Sequence, residues 1–179
     1  MAMAIGTGSR AAADSGDDRR ALVMLRVLAY DKNLAKRVGD EVRIAVAYAG
    51  GDEGTRWSSA FATAKKLKVD GRTVTVVPLK VDSAETLSRA LQPMHAAALL
   101  VCDGLTRKIS VAQLAGVTRP MHVLTLTTRE AEVASGLAVG IVPGSSRDEI
   151  VINMRAVAAE GVKFDAGLLQ LARAIKEKP

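Results

Sequence analysis

Aromatic side chains are nearly missing from this chain: two Phe, two Tyr and one Trp among 179 residues. Stacking on aromatic rings holds much of bound single-stranded nucleic acid, so that partner is disfavoured despite a formal charge of +6 and a pI near 9.7. The basic residues, Lys65, Lys66, Lys68 and Arg72 among them, are dispersed among acids, which is the pattern of a solvated surface. No nucleic-acid partner is expected. Cysteine is as scarce. Cys102 alone excludes an intramolecular disulfide and leaves the redox compartment open. It lies in the apolar run AAALLVCD, where a buried small side chain is favoured over a reactive thiol. No run reaches the roughly eighteen apolar residues of a membrane span, so direct membrane insertion is not expected. His95 and His122 are the only histidines, and HExxH, CxxC and GxSxG are all absent. No catalytic residue, metal ligand or cofactor is assigned.

What is present is a core: 49% of the residues are apolar, enough for one domain. The first twenty residues, MAMAIGTGSRAAADSGDDRR, hold almost no large apolar side chain and read as a disordered leader or an expression remnant. In RRALVMLRVLAY, Arg26 interrupts what would be the core of a signal peptide, and Leu22, Leu25 and Leu28 mark one stripe of a first helix. Strand and helix patterns then alternate. VRIAVAY (42–48) is a strand, Trp57 to about Leu67 a helix, and TVTVVPL (73–79) a strand. Ser83 caps a helix to about Leu91, AAALLVCD (96–103) is a strand buried on both faces, and Ile109 to Ala115 is a short helix. HVLTLTT (122–128) is a strand, Thr128 caps a short helix to Ser135, and LAVGIV (137–142) is a strand. The polar turn PGSSRD leads into EIVINM as an antiparallel partner of 137–142. Asn153 starts a helix through Glu160, and Asp165 caps a last one, AGLLQLARAIK. The fold class is a single α/β domain over 21–176: a mainly parallel sheet with helices on both faces and an antiparallel C-terminal strand pair.

The stretch AVAYAGGDEGTRWSSAF (45–61) sits where such folds keep a phosphate loop. Its glycines at 50, 51 and 54 match neither G-x-x-x-x-G-K-[ST] nor G-x-G-x-x-G, and Asp52 and Glu53 would oppose a phosphate. Residues 49–56 are therefore expected to form an exposed turn. A receiver-like phosphoacceptor role for Asp103 would need an acidic pair after the first strand, and Tyr48 and Ala49 stand there instead. Tyr30, Asp31 and Asn33 form an unusual polar group beside an apolar stripe, explained first by capping and solvation and second by a binding site.

Two stretches carry a resemblance. ALVMLRVLAYDKNLAKRVGDEVRIAVAY (21–48) is similar to the opening of the YfiR/HmsC-like family of periplasmic proteins. GLAVGIVPGSSRDEIVINMRAVAAEGVKFDAGLLQLARAI (136–175) resembles that family's ending, with Ile150, Ile152, Asn153, Met154, Gly161, Leu168, Leu169, Leu171 and Ala172 at the matching positions.

The resemblance implies a non-enzymatic periplasmic regulator whose partner is a membrane-bound signalling protein such as a diguanylate cyclase, acting on cyclic di-GMP. Two departures stand out: the family's disulfide-forming cysteines are not here, and its aromatic opening helix is reduced to Tyr30. Leu22, Leu25, Leu28, Tyr30 and Asp31 are the candidate interface, and because the first helix is apolar nearly all round, a homodimer is expected. A solute-binding component and an enzyme with a site assembled from distant residues are the two alternatives.

Overall fold

The computed structural model describes residues 8–64 and 68–176, with the side chains of the first helix from residue 16 onward. Helices α1 (Gly8–Ala29) and α2 (Leu34–Arg37) precede strand β1 (Glu41–Tyr48). Then come α3 (Glu53–Ala64), β2 (Thr73–Lys80), α4 (Ala84–Leu91), β3 (Ala98–Val101), a 3-10 turn (Leu105–Arg107) and α5 (Val111–Thr118). The chain continues through β4 (Leu124–Thr127), α6 (Glu130–Ala134), β5 (Val139–Pro143), β6 (Asp148–Asn153), α7 (Met154–Ala159), α8 (Ala166–Leu171) and β7 (Ala172–Ile175).

The seven strands form one sheet in the order β2-β1-β3-β4-β5-β6-β7. Strands β1 to β5 are parallel, β6 runs antiparallel to β5, and β7 lies parallel to β6 at the edge. Side chains alternate across each strand, and both faces are apolar. On β1, Val42, Ile44 and Val46 join a core with α1, α3, α7 and α8. Ala45 and Ala47 join the other core, with Leu87 and Leu91 of α4 and Leu114 of α5. This is the expected α/β domain with helices on both faces.

Local chemistry sets the helix starts. The Ser83 and Ser110 side chains each accept a backbone N–H from the third helical residue, and Thr86 and Gln113 accept the N–H of the cap in return. Asn153 and Asp165 cap α7 and α8 by accepting from Ala156 and Gly167.

Four readings change. Within the stretch read as leader, residues 8–20 belong to α1, while residues 1–7 lie outside the described residues. Helix α3 begins at Glu53, a turn before Trp57, because Gly54 lets its first turn rest on the Tyr48 ring; its expected end near Leu67 lies outside the described residues. Thr128 does not cap α6: its hydroxyl faces Asp103 at 3.3 Å, and Arg129 holds the cap position without a side-chain bond. The last helix stops at Leu171, and Ala172–Ile175 pairs with β6.

Helix α1 ties the two ends of the chain together. Ala21, Met24, Leu25, Val27 and Leu28 are buried against the core that holds Trp57 and Phe61 of α3. Arg19 and Arg20 reach Asp148 at 2.8 and 3.3 Å, and the Asp165 N–H donates to the Tyr30 carbonyl at 2.9 Å.

Candidate functional site

A parallel sheet offers its ligand site beyond the carboxyl ends of the strands, where successive connections leave in opposite directions. Here that point lies between β1, which leads to β2 on one side, and β3 on the other. The start of α3, a residue after β3 and one after β4 meet beside the middle of α1. They leave a cavity of about 280 Å³ lined by Gly16, Asp17, Arg20, Arg56, Trp57, Asp103 and Thr128.

Both signs of charge line this cleft. Arg56 Nε lies 2.7 Å from Asp17 Oδ2, close enough for an ion pair but off the hydrogen-bond direction. Arg20 lies 3.5 Å from Asp17. Asp103 is exposed and accepts a long bond from the Thr128 hydroxyl at 3.3 Å. Glu53, at the start of α3, is held above the ordinary carboxylate range by burial first and the Asp103 charge second, with Arg56 opposing. Burial, and then the Glu53 charge, push the Cys102 thiol far up, so this cysteine is an unreactive core residue. Buried Glu132 stiffens one wall by accepting the hydroxyls of Thr106 and Thr127, which joins the turns after β3 and β4.

The glycines of the opening loop serve the backbone. Gly51 sits at φ +73°, and a Cβ on Gly54 would lie 2.3 Å from Tyr48 Cε1. Ala49 to Asp52 form a turn of half-buried and exposed residues, and helix α3 occupies 53–56, so only the first half of the expected exposed turn is a turn.

The opposite end of the sheet is braced by side chains. Asp31 and Arg37 form a buried bidentate pair, with Nη2 and Nε at 2.6 and 3.1 Å from Oδ2. Arg37 Nη1 also donates to the carbonyls of Ala97 and His122, just before β3 and β4. Asp31 Oδ1 accepts the N–H groups of Asn33 and Lys163, and the Asn33 side chain donates to the Gly161 carbonyl. The polar group beside helix 1 is therefore a structural clasp. His95 and His122 adopt φ of +47° and +54° in the turns entering β3 and β4. Asp31 and Asp103 line different cavities, at opposite ends of the sheet, and both histidines lie at the Asp31 end.

The candidate interface is likewise dispersed. Leu25 and Leu28 are in the core, Asp31 is locked to Arg37, Leu22 is half-buried, and Tyr30 is 37% exposed. The five do not make one free surface. Sequence reasoning missed Arg37, Glu53 and Arg56 as site-forming groups, since each acquires its role from contacts made across the fold.

Among the described residues, no group of three or more His, Cys, Asp or Glu is arranged to hold a metal ion, and no helix is long and apolar enough to cross a membrane. The sequence profile of the YfiR/HmsC-like family matches residues 22–173. No curated protein matches the chain. Similar folds occur among solved structures, including these three. An ABC domain from Streptococcus pneumonia in complex with L-Trp has a TM-score of 0.65 at 16% identity, over 87% of this chain and 62% of that one. A ligand-free, open substrate-binding protein with adhesive properties from Clostridium difficile gives 0.62 at 12% identity, over 89% and 60%. A conserved domain protein from Vibrio cholerae gives 0.61 at 12% identity, over 90% and 60%. The chain thus spans about three fifths of these proteins, and the likeness is one of fold.

Proposed function

The chain belongs to the YfiR/HmsC-like family, and on that premise we propose that it is a non-enzymatic periplasmic regulator of a membrane-bound signalling protein such as a diguanylate cyclase. The observation that carries this reading is the family match across residues 22–173, nearly the whole folded chain. The separation of Asp31 from Asp103 supports the non-enzymatic part, because the titratable groups singled out in the sequence share no site. Deleting the gene in its host is expected to raise cyclic di-GMP, and the tagged chain to retain a membrane protein in a pull-down. Unchanged cyclic di-GMP together with a two-hybrid screen that finds no membrane partner would defeat the proposal. Self-association as a twofold dimer belongs to this reading on the family resemblance alone, since the helix face that suggested it is covered within one chain.

The cleft favours a second reading, a solute-binding component, because it lies at the topological switch point and presents both carboxylate and guanidinium groups. A thermal-shift screen of sugars, nucleotides and amino acids, with L-Trp included as the ligand of the pneumococcal structure, tests it. A ligand at a hundred times its Kd stabilises by about 2.7 kcal/mol, and Asp103→Asn should abolish that shift. No shift with any class removes this reading.

A further inference from the structure

The last strand is made of residues suited to a helix. In LLQLARAI (168–175), Leu168, Leu171, Ala172 and Ile175 stand at helical spacing, and Leu, Gln, Ala and Arg are strong helix formers. Ile175 is the single β-branched residue in it. Helix α8 passes into β7 with no connecting residue: Leu171 is helical, and Ala172 is extended at φ −107° and ψ 150°. Leu171 at this junction is 67% exposed, the most exposed large apolar residue among the described residues, although Leu168 one turn earlier is buried.

The grip of β7 on the sheet is correspondingly small. It pairs four residues, Ala172 to Ile175, with Ile150 to Asn153, and among the described residues no strand pairs with its outer side. Beyond the backbone ladder, Ala172 packs against the main core, Ile175 packs on Val133, Val142 and Val151, and Arg173 bridges Glu130 at 2.9 Å and Glu149 at 3.3 Å. Arg173 holds Glu130 by two parallel bonds, and although all three charged groups are about half exposed, such a forked network anchors an edge more firmly than a single surface pair.

We propose that residues 172–175 are a releasable edge strand that exchanges between pairing with β6 and extending α8 as one longer amphipathic helix. In the helical state the backbone bonds of the ladder are replaced by bonds within the helix. Ile175 then falls on the face that already carries Leu168 and Leu171 of α8. Release uncovers the backbone groups of β6, and a strand edge with open N–H and C=O groups is a template for pairing with another chain. In its strand state β7 is therefore a cap, held in place by Arg173.

Amide exchange and backbone chemical shifts of the isotopically labelled full chain test this. The amides of 172–175 are expected to exchange at least tenfold faster than those of β4, and Arg173→Ala should widen the gap. Arg173→Ala should also move the Cα shifts of 172–175 from strand-like toward helix-like values, leaving β1, β3 and β4 unchanged. Ala172→Val with Ala174→Val, which favours the extended backbone, should reverse both effects. Exchange in 172–175 as slow as in β4 overturns the proposal, and so do Arg173→Ala shifts that stay strand-like or go to coil values, since coil values mean fraying.

Discussion

Glu160 is the clearest case of a residue whose behaviour comes from its surroundings. It has no solvent exposure, and it accepts the Thr125 N–H and hydroxyl at 2.8 Å and the Thr118 hydroxyl at 3.4 Å. Burial outweighs these bonds and the nearby Arg119 charge, and raises its pKa to about 7. The folded protein therefore keeps this proton where the unfolded chain has lost it, between the ordinary carboxylate value of 4.5 and about 7. The resulting stability is full below pH 4.5 and is lost as pH rises through 7, to an upper limit of about 3 kcal/mol. Urea denaturation at pH 5 and pH 8 should show that loss in the wild type and a flatter dependence in Glu160→Gln. Gly54→Ala should cost about 1–3 kcal/mol, because the new Cβ would meet the Tyr48 ring, and much less in a Tyr48→Ala background. Asp31→Ala strips the partner from an Arg37 side chain only 7% exposed, and a loss of about 3–5 kcal/mol is expected on denaturation. None of these three sites could be read from neighbouring residues. Thr125 and Glu160 are 35 positions apart, and no local pattern announces such a pair.

Elements were far more legible, for a physical reason. Strands buried on both faces read as near-continuous apolar runs, as ALLV and VGIV do at β3 and β5, while β4, LTLT, alternates Leu with buried Thr125 and Thr127. Helix starts were visible where a short polar side chain bonds its own backbone, as at Ser83, Asn153 and Asp165. Thr128 carried the same local signal, but Asp103, 25 residues away, offered its hydroxyl another partner. The C-terminal helix was overextended because a helix-forming sequence met the open edge of β6, where tertiary pairing outweighs propensity. Asn153 shows how one side chain fixes an element: it caps α7 through Ala156 and donates to the Val133 carbonyl of α6. Asn153→Ala removes both bonds from a site 1% exposed, and a loss of about 2 kcal/mol is expected in chemical denaturation.

At the scale of the molecule, the fold class followed from alternation, whereas the clasp bracing one end of the sheet depended on strand order. Leu25→Glu distinguishes burial within one chain from burial between two. Leu25 is 1% exposed within the monomer, so the substitution should remove about 4 kcal/mol of stability and abolish the folded far-UV signal. A folded monomer replacing a folded dimer in sedimentation would show instead that this residue lies between chains. The bond between the two ends has a further consequence, in time. Arg19 waits 129 residues for Asp148, and Tyr30 meets Asp165 later still along the chain. Contacts so distant in sequence form slowly. Helix α1 can settle on α3 early, but its ties to the far end of the domain must wait: until Asp148 and Asp165 have been made, Arg19, Arg20 and the Tyr30 carbonyl stay unlatched.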